Sequence, residues 1–341
     1  MTSVFVSILN WNDAASTLRC VRAVCASIVP DGVAIKLIVV DNGSSLEDWN
    51  ALQNGMDHGD VTLIRNEINL GFAAGHNVVI REAIERKADY IWLLNNDALV
   101  NGDTLSGLLD VYDMTPDCGI VSPLIYATHD GRTVDFIGAT HDWKNLRATH
   151  ASDVATAEKM QTNCPTDFFV FGTAPLVRMT ALIDVGFLDE KFFAYYEDDD
   201  LCARLARLGW SSKMAFSTSI LHFRRKAVSA ERPRYFFYLM ARNALFFYLT
   251  HTPTENRRWI RLRLFSRAMI TAANLREQGQ IEKRNACLLG IWDGLGGRSG
   301  PPRLNVSPPA WLRLLSNAFP YRLQLWFDKT LAAGQPTYPP R

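Results

Sequence analysis

The sequence lacks the features that mark zinc-binding, secreted and membrane-spanning proteins. None of its six cysteines forms a CxxC pair, so a zinc or redox motif is excluded. No apolar run approaches the roughly 20 residues that a transmembrane helix needs. The N-terminal residues have no basic segment ahead of an apolar one, and they enter a strand-like run at once. We therefore expect no signal peptide and a reducing, cytoplasmic location.

The chain also has little net charge, only +1 at pH 7, which gives no support to a nucleic-acid-binding protein. The balance conceals an asymmetry. Residues 1–250 hold 22 Lys and Arg against 30 Asp and Glu, whereas residues 251–341 hold 14 against 5. The net charges of the two parts are therefore −8 and +9. A basic C-terminal part predicts an anionic partner for that region, such as membrane headgroups.

What the sequence does contain is an alternation of strands and helices in its first 100 residues. Continuous apolar runs predict buried strands at residues 4–9, 34–40, 61–65 and 90–94. Helical patterns lie between them at residues 16–27, 47–55 and 77–87, and residues 69–75 are predicted to be a glycine-containing loop. This pattern is typical of an α/β fold with a mostly parallel sheet covered on both faces.

Each of these strands ends in Asn or Asp. The fourth is followed by Asn95, Asn96 and Asp97. Such residues are good turn formers, which is the simplest explanation of any one of them. In a parallel sheet, however, four strand ends lie along one edge, where open α/β sheets bind ligands. We therefore expect Asp97 to share a polar edge with Trp11, Asp41 and Asn69.

The remainder of the chain is less regular. We predict helices at 104–113 and 179–185, a strand at 119–126, and a polar, loop-like stretch over 127–163. Residues 235–250, 257–276 and 311–331 are predicted to be helices, and the Gly- and Pro-rich residues 296–309 a linker. These features predict a first domain over 1–234 and a C-terminal helical region over 235–341.

Four consecutive carboxylates, Glu197 to Asp200, follow a run of aromatic residues. Apolar residues then recur at helical spacing, so the acidic residues belong to the first turn of a helix. There they favour the helix dipole, and Asp200 can pair with Arg204. Crowded carboxylates also repel and raise one another's pKa. A helix with a purely structural role at the surface could avoid this energetic cost. We therefore interpret the cluster as a candidate proton acceptor for an alcohol.

His222 follows a strand-like run and precedes Arg224, Arg225 and Lys226. An isolated histidine is usually structural. An imidazole beside a cationic run and an acidic cleft, however, is typical of a metal–diphosphate site, because imidazole and carboxylate together suit a divalent metal.

Taken together, these residues resemble the family 2 glycosyltransferases of GT-A fold, most closely the rhamnosyltransferase-like branch that builds bacterial surface polysaccharides. The resemblance covers about residues 3–250. It is carried by motifs in the family's order, at residues 9–12 (LNWN), 40–44 (VDNGS), 69–77 (NLGFAAGHN), 94–97 (LNND), 187–201 (FLDEKFFAYYEDDDL) and 242–243 (RN). It implies that residues 1–234 form a Rossmann-like GT-A catalytic domain.

The resemblance also implies roles. Asp198, in the Glu197–Asp198 pair, would be the catalytic base, and Asp97 and His222 would bind Mg²⁺ or Mn²⁺. Trp11 would stack on the donor's base, and Asp41 would bond the base or ribose. The full set of implied donor-binding residues is Asn10, Trp11, Asp41, Asn69, Phe72, Gly75, Asn77, Asn95, Asn96 and Gly172. The implied partners are a nucleotide-sugar donor and a glycan or lipid-linked acceptor.

The sequence departs from the family's pattern at two places. Asn95 stands where stricter metal-binding motifs have Asp, which removes one negative charge and makes His222 more necessary. Residues 75–77 read Gly-His-Asn in place of an Ala-Arg-Asn variant.

The expected reaction is inverting, metal-dependent transfer of a sugar from dTDP-rhamnose or a UDP-sugar, in cell-surface polysaccharide synthesis. One alternative is a sugar-1-phosphate nucleotidyltransferase, although residues 10–13 lack the glycine and cation that grip a triphosphate. Another is a non-catalytic glycan-assembly module, which would not need Asp97 and Asp198 together. A glycosidase would also use two carboxylates but has no use for a nucleotide pocket.

The predicted helix 257–276 is basic and amphipathic, with arginines at 257, 258, 261, 263 and 267. We favour packing of its apolar side against the catalytic domain, with the arginines in solvent. The alternative is peripheral contact with a membrane. The sequence leaves the oligomeric state open.

Overall fold

The computed structural model describes residues 1–127, 133–223 and 232–318. The predicted basic run at 224–226 and residues 319–331 of the predicted last helix lie outside these ranges. Contacts along the described chain divide it into two units. The first comprises residues 1–141, 148–190 and the described part of 197–225. The second, which we call the helical unit, comprises 142–147, 191–196 and the described residues from 232 onward.

The first 100 residues form the predicted alternation of strands and helices. In chain order, the elements are β1 (Thr2–Asn10), α1 (Ala14–Cys25), β2 (Val33–Asn42), α2 (Leu46–Gly55), β3 (Thr62–Asn66), α3 (Gly71–Glu85), β4 (Tyr90–Asn95) and β5 (Ala98–Val100). Helix α1 begins two residues before its predicted start, because the carboxylate of Asp13 caps it by accepting from the Ser16 amide at 3.2 Å.

The predicted loop over residues 69–75 is wrong, because α3 already begins at Gly71. Gly71 has a φ of +87°, and its amide donates to Asn69 Oδ1 at 2.8 Å, so the Asn69 side chain satisfies a helix-terminal amide. Gly75 then lies inside the helix. A Cβ placed on it would come within 2.5 Å of Leu9 Cδ1. This glycine therefore lets α3 approach β1 closely.

The second half of the first unit contains mixed elements. They are α4 (Thr104–Met114), β6 (Cys118–Ala127), β7 (Val134–Phe136), β8 (Ala139–Asp142), β9 (Arg147–His150), α5 (Val154–Asn163), β10 (Phe168–Phe169), β11 (Leu176–Arg178), α6 (Met179–Val185), α7 (Glu197–Arg207) and β12 (Ser211–His222). Helix α6 has the predicted bounds. The predicted loop over 127–163 is wrong, because three short strands and α5 occupy it.

The main sheet has the strand order β3-β2-β1-β4-β11-β6-β12-β5, with β7 paired to β6. The pairings among β3, β2, β1 and β4 are parallel, as predicted. Beyond β4 the sheet becomes mixed, because β11 runs antiparallel to both β4 and β6. A smaller sheet has the order β10-β8-β9. β6 and β12 pair in parallel, whereas β5 and β7 add antiparallel pairings. The α/β fold class is therefore confirmed.

The helical unit contains α8 (Arg234–His251), α9 (Arg257–Glu277), α10 (Ile281–Leu295) and α11 (Ala310–Ala318). The sequence analysis predicted α8 and α9 closely but did not identify α10. Residues 296–309, between α10 and α11, contain neither helix nor strand. Helix α9 buries its apolar residues, among them Trp259, Ile260 and Leu264, and packs against α8, α10 and α11. Along the described ranges, no helix is both long and apolar enough to span a bilayer.

Candidate functional site

The register of the parallel strands brings the predicted polar ends to one edge of the sheet. Asn10 of β1 lies opposite Asp41 of β2, and Leu9 lies opposite Asn95 of β4. Asn42 lies opposite Asn66 of β3. The alignment predicted from the four strand endings is therefore present.

Asn10 is the centre of a buried hydrogen-bond network at this edge. Its Nδ2 donates to Asp41 Oδ1 at 2.9 Å and to Asp48 Oδ2 at 2.8 Å, and its Oδ1 accepts from Thr17 Oγ1 at 2.7 Å. Asn10 and Asp41 are both fully buried. Asn10 therefore has no exposed surface of its own and holds the neighbouring residues of this edge in place.

Trp11 follows Asn10 and is 45% exposed, so its indole is available at the surface of the edge. Asp41 is held from several sides. Besides Asn10, its Oδ2 lies 3.4 Å from Arg65 Nε and accepts from the Ser44 amide at 3.3 Å. The pair thus combines an exposed aromatic ring with a buried, well-oriented carboxylate.

The start of α3 is tied to the same edge. Asn42 Nδ2 donates to Asn69 Oδ1 at 3.1 Å and to the Gly71 carbonyl at 3.0 Å. Within α3, the ring of Phe72 lies edge-on to the ring of His76 one turn further along, with centroids 4.4 Å apart. His76 is fully buried with Nδ1 2.7 Å from Ser7 Oγ, and burial lowers the pKa of its imidazole to about 3. The unusual His76 is therefore neutral.

Asn77 clamps the segment that precedes the acidic helix. Its Nδ2 donates to the Leu188 carbonyl at 2.9 Å and to Glu190 Oε1 at 2.8 Å, while its Oδ1 accepts from the Leu188 amide at 3.2 Å. The side chain is 1% exposed. Its amide is therefore engaged with the protein, and it shapes the site by fixing residues 188–190.

Strand β4 delivers the three polar residues of the 94–97 motif. The Asn95 amide donates to the Thr173 carbonyl at 2.9 Å, and Asn96 Nδ2 donates to Thr17 Oγ1 at 3.1 Å. The carbonyl of Asp97 accepts from the Phe223 amide at 2.7 Å. These bonds leave the Asp97 carboxylate, which is 29% exposed, directed toward His222.

His222 lies between two carboxylates. Its Nε2 is 3.2 Å from Asp97 Oδ1 and its Nδ1 is 2.8 Å from Asp135 Oδ2. The side chain is almost fully buried. Burial alone would lower the pKa of His222, but the hydrogen bonds and charges of Asp135 and Asp97 outweigh it and raise the pKa to about 9. The sequence analysis found His222 and Asp97 but missed Asp135, which no local motif marks.

Asp97 and His222 fit a divalent metal by the chemistry of their donor atoms. Adjacent ligands around an octahedral ion with bonds of about 2.1 Å lie about 3 Å apart, close to the 3.2 Å between Nε2 and Oδ1. In the part of the chain that the structure describes, no group of three or more His, Cys, Asp or Glu side chains is arranged to hold a metal. A metal that takes only one or two protein ligands completes its coordination with water and substrate phosphates.

The predicted base, Asp198, is oriented by backbone amides. Its Oδ2 accepts from the Gly172 amide at 2.9 Å and its Oδ1 from the Asp199 amide at 2.9 Å. A Cβ built on Gly172 would lie 3.5 Å from Asp198 Oδ2 and 3.7 Å from Phe72 Cε1. Asp198, Gly172 and Phe72 are therefore neighbours, although they lie far apart in the sequence.

The other three carboxylates of the cluster differ in state. Burial, followed by the charge of Asp198, raises the pKa of Glu197 and of Asp199 well above the usual range. Glu197 is almost fully buried. Asp200 is also buried, and its Oδ2 pairs with Arg204 Nε at 2.7 Å, which confirms the predicted i,i+4 pair. Asp198 is thus the partly exposed carboxylate held by two amides.

Within the helical unit, the predicted Arg242–Asn243 pair holds the segment 191–196. Asn243 Nδ2 lies 2.8–2.9 Å from the carbonyls of Phe192, Ala194 and Tyr195. Arg242 Nε donates to Asn243 Oδ1 at 2.9 Å, which orients that amide. Both side chains are fully buried.

The same segment has an unusual backbone. Phe193, Tyr195 and Tyr196 have φ values of +65°, +68° and +75°. Non-glycine residues in this region carry a cost of order 1 kcal/mol each. The hydrogen bonds from Asn243 therefore oppose a strain that the sequence alone does not reveal.

Comparisons with known proteins point to one family. A family model described as glycosyl transferase family 2 matches residues 3–186. The low-salt glycan biosynthesis hexosyltransferase Agl10 of Haloferax volcanii is 28% identical over 177 residues, which are 52% of this chain and 54% of that protein. The N-acetylglucosaminyl-diphospho-decaprenol L-rhamnosyltransferase of Mycobacterium tuberculosis is 26% identical over 208 residues, covering 55% of this chain and 66% of that protein. The chain thus spans less than two thirds of either relative.

Solved structures share the fold. The mannosyltransferase PcManGT of Pyrobaculum calidifontis, in complex with GDP-Man and Mn²⁺, superposes with a TM-score of 0.53 at 15% identity, over 97% of this chain and 85% of that one. TarS of S. aureus, in complex with UDP-GlcNAc, gives a TM-score of 0.56 at 14% identity, over 99% and 93%. At these identities the likeness shows the fold alone, which is GT-A.

The family model covers more than half of the chain. The two relatives, a hexosyltransferase and a rhamnosyltransferase, agree with this family. The chain belongs to glycosyl transferase family 2.

Proposed function

We propose that this glycosyltransferase is inverting and metal-dependent. It transfers a sugar from a nucleoside diphosphate donor, dTDP-rhamnose or a UDP-sugar, to a hydroxyl of a glycan or lipid-linked glycan in cell-surface polysaccharide synthesis. The observation that carries the proposal is the Asp198 carboxylate, which the Gly172 and Asp199 amides orient. The catalytic domain is assigned to residues 1–234, and residues 235–341 form a helical region at the cytoplasmic face of a membrane.

Asp198 is the proposed general base. An alcohol is a weak nucleophile, so a positioned carboxylate must take its proton as it attacks. The acceptor oxygen forms a bond to the anomeric carbon while the bond from that carbon to the diphosphate oxygen breaks. The hydroxyl proton goes to Asp198. A single displacement of this kind inverts the anomeric centre, and it needs no enzymic nucleophile.

Glu197 has a supporting role in this proposal. Burial and the charge of Asp198 raise the pKa of Glu197 well above its usual range, which favours the neutral form of Glu197 beside the proposed base. A neutral Glu197 adds no like-charge repulsion to its neighbour.

Asp97 and His222 are the proposed ligands of Mg²⁺ or Mn²⁺. When bound, the metal ion would neutralise the charge that develops on the departing diphosphate. To ligate through Nε2, His222 must give up the proton on that nitrogen, and Asp135 keeps the remaining proton on Nδ1 by accepting from it.

The donor is assigned to the polar edge of the sheet. Exposed Trp11 stacks on the base, and buried Asp41 orients the base or ribose through the loop that it holds. Phe72 beside Gly172 forms a wall near Asp198. The residues that shape this pocket through their hydrogen bonds are Asn10, Asn69, Asn77, Asn95 and Asn96. Gly75 shapes it by letting α3 approach β1 closely.

A thermal-shift screen tests the proposal. The purified protein is heated with UDP-, dTDP- and GDP-sugars, each with Mn²⁺, Mg²⁺ or EDTA. A rise in Tm for one nucleotide that EDTA abolishes supports a metal-dependent donor site, since ligands stabilise the state that they bind. Equal shifts with and without EDTA would contradict the metal dependence, and no shift with any donor would contradict the donor site.

A further inference from the structure

Helix α11 presents large apolar side chains on its outer side. Leu312 and Ser316, one turn apart, are fully buried and mark the side that faces the protein. Trp311 and Leu314, which are 51% and 67% exposed, lie on the other side. A surface helix of a soluble domain normally turns its apolar stripe inward. The outer side of α11 therefore has an apolar character that packing against residues 1–127, 133–223 and 232–318 does not require.

Trp292 at the end of α10 extends this apolar surface. Its side chain is 42% exposed, and its ring lies 5.8 Å from the ring of Trp311 at an angle of 78°. Tryptophan has an apolar body with one polar N–H, and it is enriched at membrane–water interfaces for that reason. We call the surface formed by Trp292, Trp311 and Leu314 the tryptophan face.

Three arginines flank the tryptophan face at Asn317. Arg276 Nη1 donates to the Asn317 carbonyl at 2.9 Å, and Arg284 Nη1 donates to Asn317 Oδ1 at 3.1 Å. Arg313 is part of α11 itself. Over the described ranges, none of the three forms an ion pair with a carboxylate. Burial and the charges of Arg313 and Arg276 lower the pKa of Arg284, so the arginines repel one another.

A cavity of about 350 Å³ beside Trp292 is lined in part by positively charged side chains. Its lining includes Arg298 and Arg303. The carboxylate in this cavity, Asp293, is 3% exposed, and it is already engaged by Arg303 and by the Tyr238 hydroxyl. Arg298 Nε lies 3.9 Å from Asp293 Oδ1, and the Arg298 side chain is 57% exposed.

We propose that the tryptophan face docks on a membrane surface that carries anionic phospholipid headgroups. The argument is charge complementarity. Residues 232–318 hold 14 Lys and Arg against 4 Asp and Glu, a net charge of +10. Apolar side chains of the face enter the interfacial layer while the partly exposed Arg276 and Arg313 meet phosphate oxygens.

This assignment moves the membrane contact from α9 to α11. Arg258 and Arg261 of α9 are exposed, but most of the large apolar residues of α9 are buried, and Leu262 is its exposed large apolar side chain. Helix α9 therefore offers charge without an apolar stripe. The inference deepens the proposed function, because docking on a membrane would give the enzyme access to a lipid-linked acceptor. Only this link to the acceptor rests on the proposed function.

The test is vesicle co-sedimentation of the full chain. Vesicles contain phosphatidylcholine alone or with phosphatidylglycerol. We expect binding to the anionic vesicles only, weakened by salt. The double substitution Trp311→Ser and Leu314→Ser should lower the affinity for anionic vesicles at least tenfold. The double substitution Arg276→Gln and Arg313→Gln should lower this affinity about 25-fold, because each arginine near the membrane surface contributes about 1 kcal/mol.

Matched controls lie on α9. Leu262→Ser removes an exposed leucine, and Arg258→Gln with Arg261→Gln removes two exposed charges. Both should change vesicle affinity far less than the α11 variants. Equal losses in the controls would overturn the assignment to α11, as would failure of the unaltered chain to bind anionic vesicles.

Two further measurements separate membrane docking from dimerisation and from the proposed donor binding. Light scattering measures the oligomeric state of the unaltered chain and of the Trp311→Ser, Leu314→Ser variant. A dimer that the two substitutions disperse would overturn the proposal, because the tryptophan face would then be an interface between copies. The donor-induced thermal shift should be the same in the α11 variants and the unaltered chain. If no donor shifts the Tm, the proposed function fails while the vesicle result still decides the docking face.

Discussion

The Nδ1 atom of His222 lies 2.8 Å from Oδ2 of Asp135, although the two residues are 87 positions apart. The carboxylate oxygen of Asp135 can only accept, so Nδ1 carries a proton, and Nε2 lies 3.2 Å from Oδ1 of Asp97. Carboxylate partners of this kind fix the ring orientation and the tautomer of metal-binding histidines.

Asp135→Asn should therefore weaken Mn²⁺ binding about 10- to 100-fold without unfolding the protein. The amide can present an N–H where the carboxylate accepted, which disfavours the required tautomer. Mn²⁺ affinity can be measured by electron paramagnetic resonance. Asp60→Asn, on an exposed turn, is the matched control and should leave the affinity unchanged. An unaltered affinity in Asp135→Asn would contradict the positioning role.

Asp198→Asn and Asp97→Ala should separate chemistry from donor binding. Loss of a general base costs about 10²- to 10⁴-fold in rate, so Asp198→Asn should lose transfer and keep metal-dependent donor binding. Asp97→Ala should lose that binding. Transfer rates and donor affinity, measured on the same preparations, decide the matter, and equal loss of donor affinity in both variants would refute the division of roles.

Asn243→Ala should loosen the segment 192–196. The substitution removes the amide that lies within 2.9 Å of three carbonyls, in a segment with three positive φ values. We expect a loss of about 1–3 kcal/mol in stability and faster amide hydrogen exchange in these residues. Asn274→Ala, exposed on α9, is the control. Unchanged exchange in residues 192–196 would show that the segment holds its conformation by other means.

His76 should make the protein less stable in mild acid. Burial lowers the pKa of its folded form from 6.5 to about 3, so below pH 6.5 the unfolded chain binds a proton that the folded chain does not. Stability is therefore complete above pH 6.5 and falls as the pH decreases, by about 2 kcal/mol at pH 5. Urea unfolding at pH 7 and pH 5 measures this loss. His76→Gln should show a smaller loss over the same interval, and an identical pH dependence would contradict the assignment to His76.

Several elements could be predicted because their signal is local. Helix α6 and the i,i+4 pair of Asp200 with Arg204 follow from periodicity and spacing over a few residues. The errors arose where tertiary contacts decide. Helix α3 extends back to Gly71 because Asn69 and Asn42 satisfy its first turn, and residues 127–163 form short strands that are stable only when paired with distant ones.

The sequence by itself determined the alternation of strands and helices, the polar edge of the sheet, the acidic first turn of α7 and the glycosyltransferase family. Each of these depends on residue types at short, regular spacings. Only the tertiary structure decided that Asp135 supports His222, that the Gly172 amide orients Asp198, and that α11 turns Trp311 outward. These relationships join segments that are distant in the chain, or depend on which side of a helix is buried, and local spacing carries no information about either.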